Sequence, residues 1–162
     1  MAAVDYFLKL DGIEGDSFVK GHEKEINVDS FSWGLSQGGS VGAGGGGGTG
    51  KVQFQDFHFT MATSKASPSL FLKCASGHHF IKGVLSCRKA GGDNTNDFLK
   101  FTLTDVLISS YSISGDGSII APTDSLSLNF AKVEMSFKEQ KPDGTLGAAI
   151  TTGWDLKQNK AV

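Results

Sequence analysis

Gly42-Ala43-Gly44-Gly45-Gly46-Gly47-Gly48-Thr49-Gly50 runs directly into Lys51-Val52-Gln53-Phe54-Gln55-Asp56-Phe57-His58-Phe59-Thr60. Whether that junction leads into a helix or into a strand decides the fold. Gly45-x-x-x-x-Gly50-Lys51 has the outline of a phosphate-binding loop. That motif needs a Ser or Thr after the lysine to ligate Mg²⁺, and Val52 stands there. It also needs a helix N-terminus aimed at the phosphates, whereas a β-branched, aromatic, alternating run follows. Gly45-x-Gly47-x-x-Gly50 fails as a dinucleotide fingerprint for the same reason, and a glycine tract matches such patterns trivially. The junction therefore reads as a side-chain-free, flexible loop tethered to a strand.

The flanking sequence continues the β pattern. Val4, Tyr6, Leu8 and Leu10 alternate with Asp5, Phe7 and Lys9, predicting a first strand that ends at Asp11-Gly12. Ile26, Val28 and Phe31-Ser32-Trp33 make a second strand region, followed by a Gly/Ser loop from Ser36 to Gly50. Val52 and Phe54 share one phase while Phe57, Phe59 and Met61 share the other, a slip at Gln55-Asp56 that a β-bulge produces. Strands are expected over Phe80–Lys89, over Phe98–Ile113 with a phase shift near Asp105-Val106, and at Thr151–Leu156. Leu126, Leu128 and Phe130 change phase to Val133, Met135 and Phe137. Ala90-Gly91-Gly92-Asp93-Asn94 is rich in turn formers. The one convincing helix is Ser67 to Gly77: Ser67 suits the N-cap, Pro68 the first turn, and Gly77 the left-handed position after the end. Leu70, Phe71 and Cys74 fall on its apolar face. Long strands with repeated phase slips are what a sheet needs to turn corners. The expected fold is mainly β: a curved β-barrel or two-sheet barrel with one lateral α-helix and a long Gly-rich loop, in a single domain over residues 1–162.

Composition narrows the function. Residues 1–81 carry 6 basic and 8 acidic groups and residues 82–162 carry 9 of each, so no basic block marks a nucleic-acid surface. No apolar run approaches the roughly 18 residues of a membrane span. Met1 to Leu10 places Asp5 and Lys9 where a signal peptide is apolar, so the expectation is cytoplasmic assembly and, for any export, a route without a signal peptide. Cys74 and Cys87 are too few for a disulfide framework and read as buried free thiols. Cys74-x-x-x-His78-His79 with Cys87 fits no standard zinc spacing, and His78-His79 reads as a solvated turn. No nucleophile elbow gathers Ser, His and Asp, and no paired carboxylates suggest acid–base work. Neither a metal, a cofactor nor an enzyme activity is expected.

Six segments, in order along nearly the whole chain, resemble the haemolysin-coregulated protein (Hcp) family, the tube proteins of bacterial type VI secretion. They are Phe31-Ser32-Trp33-Gly34-Leu35-Ser36-Gln37, the glycine tract with Lys51-Val52, Ser67-Pro68-Ser69-Leu70, Cys87-Arg88-Lys89-Ala90-Gly91-Gly92, Leu128-Asn129-Phe130-Ala131-Lys132-Val133, and Gly153-Trp154-Asp155-Leu156-Lys157-Gln158-Asn159. The resemblance implies a β-barrel subunit that assembles head-to-tail into a hexameric ring. Rings would stack into a secreted tube that a contractile sheath drives out behind a tube-tip spike protein, with small effector proteins in its lumen. Lys157 departs from the arginine expected there and offers a point charge in place of a bidentate fork. The chain ends at Val162 with no appended domain and looks like the plain tube subunit.

The same resemblance turns several residues into interface candidates: Ser36, Gln37, Gly44, Gly45, Gly46, Gly47, Gly48, Lys51, Arg88, Lys89, Gly91, Gly92 and Lys157. The Ser36–Gly50 loop is expected to lie against the next subunit or ring, where missing side chains allow close backbone approach. Ordering it costs about 1–2 kcal/mol per residue, so stacking through it is weak enough to reverse. Arg88, the one arginine among fifteen basic residues, is expected to pair an acidic group on the facing ring; the bland reading is a surface charge at a strand end. Ser32 lies between Phe31 and Trp33, so if those rings enter the core it points outward, toward what the family resemblance makes the lumen. The rival reading from another class is a monomeric small-molecule or carbohydrate-binding β-barrel.

Overall fold

The computed structural model describes residues 3–39, 51–90 and 96–162. The chain runs β1 (Val4–Leu10), β2 (Ile26–Val28), β3 (Ser30–Ser32), β4 (Leu35–Gln37), β5 (Val52–Phe54), β6 (Phe57–Ala62), α1 (Ser67–Ser76), β7 (His79–Lys89), β8 (Asp97–Ser114), β9 (Thr123–Gln140), β10 (Leu146–Asp155) and β11 (Lys160–Ala161). The large sheet has the order β11-β10-β9-β8-β7-β1-β2, with β6 on β9 and β3 on β6, and its described pairings are antiparallel. β9 carries β6 along residues 123–128 and β10 along residues 132–140. From β2 the path through β1, β7, β8, β9, β6 and β3 returns to a residue one step from its start, because only Asp29 separates Val28 from Ser30. The Asp29 N–H donates to Thr60 O at 2.8 Å and holds that return in place.

The expected phase slips fall together. Phe80, Val106 and Phe130 form one buried cross-strand row, and Gly83, Leu103 and Val133 form the next, three residues away. With a side-chain period of two, a step of three changes the phase. Each of β7, β8 and β9 therefore absorbs one extra residue at the same level (Ile81, Asp105 and Ala131), so the register is kept across the crease as Lys82↔Thr104↔Lys132. Asp105 adopts φ 55°, a left-handed value that Asp tolerates better than most residues. A separate register shift between Ile108 and Ser110 leaves Ser109 over, and its hydroxyl donates to Asp56 at 2.6 Å.

Several local expectations are corrected. Gln55-Asp56 is no bulge within one strand: β5 pairs with β4 in a separate two-stranded ribbon, and the chain changes sheets there. Ser36 and Gln37 accordingly lie in a strand, opposite Gln53 and Val52. The helix boundaries and the left-handed Gly77 cap are as expected, but Ala66 occupies the N-cap. Ser67 instead donates its hydroxyl to Asp124 Oδ2 at 2.5 Å, while Thr63 donates to Oδ1 at 2.8 Å. Leu70 is buried and Cys74 packs on the core, whereas Phe71 is exposed, so the buried stripe is narrower than the sequence implies. His79 begins a strand and is not in a turn. The last long strand starts at Leu146, five residues before the expected Thr151.

The core is aromatic at its centre. Trp33 stacks on Phe57 with centroids 4.9 Å apart, and Phe101 and Phe130 meet Phe57 edge-on. Phe7, expected on the solvated face of β1, is buried because His22 stacks on it at 4.4 Å.

Asp124 is fully buried and ties the helix start to β9 through two hydroxyl donors. Asp124→Ala leaves both donors without their acceptor and is expected to lower unfolding free energy by about 3 kcal/mol. Asp116→Ala, in an exposed turn, is expected to change it by about 0.5 kcal/mol or less. Urea unfolding of the two variants checks the contrast, and equal losses would contradict it.

Candidate functional site

The described candidate residues fall at the two ends of β7 and on the short ribbon. β7 runs from His79 to Lys89, eleven residues and so about 33 Å end to end. Lys157 lies at the His79 end of that strand and Arg88 and Lys89 at the other. The ribbon with Ser36, Gln37 and Lys51 lies beside β9 and β10, and its Lys51 end shares a cleft with Leu156 and Asn159, next to Lys157. Gly44 to Gly48, Gly91 and Gly92 lie outside the described residues.

At one pole, Asp105 collects two partners. Lys157 Nζ donates to Oδ2 at 3.0 Å, and His79 Nδ1 lies 3.1 Å from Oδ1. The Lys157 ammonium, then His79, hold the Asp105 carboxyl below the usual carboxylate range. The lysine thus makes a single-point carboxylate contact within its own chain, as its one-headed charge dictates. Asp105 reaches both partners because it is the extra residue of the crease, turned out of the ladder.

At the opposite pole, the expectation of Arg88 as a surface cation is corrected. Its side chain is 8 % exposed; Nε donates to Asp97 Oδ1 at 3.1 Å and Nη1 donates to Lys20 O at 2.8 Å. His22 closes the cluster, with Nδ1 2.8 Å from Glu25 Oε2 and Nε2 2.8 Å from Asp97 Oδ1. The strand end is satisfied internally because the Asp11–Glu25 segment folds over it, which spacing along the sequence does not reveal. Lys89 is exposed and donates to Gln140 Oε1. Next to Arg88, Cys87 is buried, and that burial, with Asp97 nearby, pushes its thiol up to about 12. Cys74 and Cys87 are both free, but against expectation Cys74 is only half-buried.

Ser32 is exposed while Phe31 packs on the core, as the alternation requires. Register extends this position into two cross-strand rows on the face turned away from the core: Ser30–Thr60–Ser125–Ser112 and Ser32–His58–Ser127. Hydroxyl contacts knit them, Ser30 to Thr60 at 2.5 Å and His58 Nδ1 to Ser127 at 2.7 Å. These seven positions hold no Asp, Glu, Lys or Arg. The sequence reading found Ser32 alone, because the rows exist only once β3, β6, β9 and β8 are paired.

An apolar groove of about 450 Å³ separates the ribbon from β9 and β10. Trp33, Phe54, Val133 and Trp154 form its walls. Met135 and Phe137, expected to continue the core phase of Val133, are 38 % and 42 % exposed beside and beyond this groove. No group of three or more metal-ligating side chains occurs among the described residues, and no helix is long and apolar enough to cross a membrane.

Comparison with known proteins places this geometry. Residues 7–137 match the family described as type VI secretion system effector, Hcp. The chain is 44 % identical over 158 residues to protein hcp1 of Pseudomonas aeruginosa, covering 97 % of this chain and 98 % of the relative. Its fold is similar to a crystal structure of Hcp1 from Salmonella typhimurium, with 37 % identity, a TM-score of 0.82, and coverage of 99 % and 100 %. It is also similar to the structure of a type six secretion system protein, with 29 % identity, a TM-score of 0.93, and the same coverage.

Arg88→Ala leaves the partly buried Asp97 without its guanidinium partner and is expected to cost about 2 kcal/mol in denaturant unfolding. Arg88→Lys restores charge but not the fork and is expected to recover only part of that loss; full recovery would contradict the two-point contact. The Asp105 carboxyl is depressed in the folded state. Its contribution to stability is therefore complete above its unfolded pKa and is lost as pH falls through the folded one. Lys157→Met is expected to move the Asp105 titration upward, toward the ordinary value, as read by carboxyl NMR. An unmoved titration would contradict the pairing.

Proposed function

The chain belongs to the Hcp family of type VI secretion proteins, and on that premise we propose that it is the structural subunit of a secretion tube. It works by self-assembly and enclosure, without chemistry of its own. Copies join head-to-tail into hexameric rings, rings stack into a tube, and small effector proteins travel inside. The tube-tip spike and the contractile sheath are its other partners, and the assembled tube is driven out of the cell from the cytoplasm.

The observation that supports this reading best is the placement of the candidate contacts at opposite ends of one long strand. A repeating stack needs one surface at each pole of the subunit, and Lys157 and Lys89 supply exposed groups at the two ends of β7. Heterologous contacts around an axis close a ring, while contacts along that axis extend a filament. Arg88 belongs to this scheme as a brace for the pole, and Ser36, Gln37 and Lys51 as the base of the arm that carries the glycine tract. The charge-free hydroxyl rows around Ser32 suit a channel wall, since they offer passengers neither fixed charge nor large apolar groups to hold them. The apolar groove favours the second reading, a ligand-binding barrel, because its size falls in the usual range for small-molecule sites.

Light scattering on a sizing column separates the two readings. The tube subunit is expected to elute at about 103 kDa, six times the 17.1 kDa chain. A single-chain mass at every concentration would overturn the tube reading and favour the barrel.

A further inference from the structure

Two features of the chain lie where they cannot meet within one copy. The first is a knob. The Asp11–Glu25 segment crosses the outer face of β1, pinned by His22 on Phe7 and by Lys20 O to Arg88. Its own backbone is laced together: the Gly15 N–H donates to Lys24 O, the Lys24 N–H to Ser17 O, and the His22 N–H to Val19 O, each at 2.8 Å. The approach at Gly15 is so close that a Cβ there would lie 2.3 Å from Glu25 O. Held by this frame, Phe18 stands 94 % exposed. A bulky aromatic side chain on a braced tip contributes nothing to the fold of its own chain.

The second feature is the groove between the ribbon and β10. Its walls are apolar, and Leu35 and Met135 line it at 54 % and 38 % exposure. Met135 pairs with Phe101 and shares the core side of the sheet, whereas Phe7, and with it the Phe18 segment, lies on the other side. The strand order β10-β9-β8-β7-β1 puts four strand spacings, about 19 Å, between them. Charge is complementary as well. The Phe18 segment exposes Asp11, Glu14, Asp16 and Glu23 against Lys20 and Lys24. Lys51 together with residues 132–162 carries six lysines against four carboxylates, or five against four once Lys157, paired with Asp105, is set aside.

We propose that Phe18 of one copy seats in the groove beside β10 of the next, a head-to-tail contact between copies of this chain. Such a contact joins two different surfaces and closes a ring when the rotation per copy divides the circle. The proposal rests on the assembly reading above and names the contact that holds it. It also accounts for the apolar exposure at Leu35 and Met135, which the next copy covers.

The test uses the full chain. Phe18→Asp and Phe18→Ala are compared with the unaltered chain by light scattering across a concentration series. Separately, Phe18→Cys and Met135→Cys preparations, both with Cys74→Ser, are mixed and mildly oxidised. Because Phe18 is exposed, thermal unfolding of the isolated Phe18 variants is expected to match that of the unassembled chain. Assembly is expected to weaken by about 30-fold or more in Phe18→Asp, and a covalent dimer is expected only in the mixed sample. If the unaltered chain assembles and Phe18→Asp assembles equally well, the proposal fails and the tube reading stands. Loss of assembly without the cross-link also overturns it, since the knob then seats elsewhere. A single-chain mass for the unaltered protein overturns both.

Discussion

The crease across β7, β8 and β9 is the constraint on which the rest of the structure depends. Three adjacent strands each take up one extra residue at the same level, so the sheet changes phase without losing register. An extra residue in one strand alone would slide it against both neighbours and carry its apolar side chains to the wrong face. Because the three slips coincide, strands of eleven and eighteen residues serve the core on both sides of the crease. The same device turns Asp105 outward, where Lys157 and His79 meet it. A local change in backbone geometry thus builds both the core and one pole of the subunit.

Much of this was legible in the sequence, and the reason is periodicity. Apolar alternation marked β1 at its observed ends, and the phase slips at Asp105-Val106 and between Phe130 and Val133 were visible in the residue order. Pro68 and Gly77 bracketed the helix because proline and glycine act through their own backbone preferences, with no help from distant residues. What stayed hidden depends on a remote segment. Phe7 read as solvated because nothing in β1 says that His22 will cover it. Arg88 read as a surface charge because its partners Asp97 and Lys20 come from the next strand and from a loop 68 residues away. Ser67 read as a cap because a hydroxyl before Pro68 is the ordinary N-cap pattern, and its actual acceptor, Asp124, is 57 residues on. The ribbon was missed because its two strands are three residues each and the glycine tract stands between them.

The resemblance to Hcp proteins rested on scattered short segments, and the fold explains their scatter. Trp33 and Phe130 enter the aromatic centre, Ser67 anchors the helix, Arg88 braces one pole and Lys157 caps the other. These segments are far apart in the chain, yet each marks a place where the barrel is held or presented. Function in such a molecule lies in its surfaces. Among the described residues, Phe18 is left 94 % exposed and Leu35 and Met135 only partly covered by their own chain.

The most direct test of the account is electron imaging of the purified chain at concentrations where it associates. The account predicts ring-shaped particles with an open centre, in which a serine-to-cysteine label at Ser32 or Ser125 lies on the inner wall. Compact particles with no central opening, or labels on the outer rim, would contradict it.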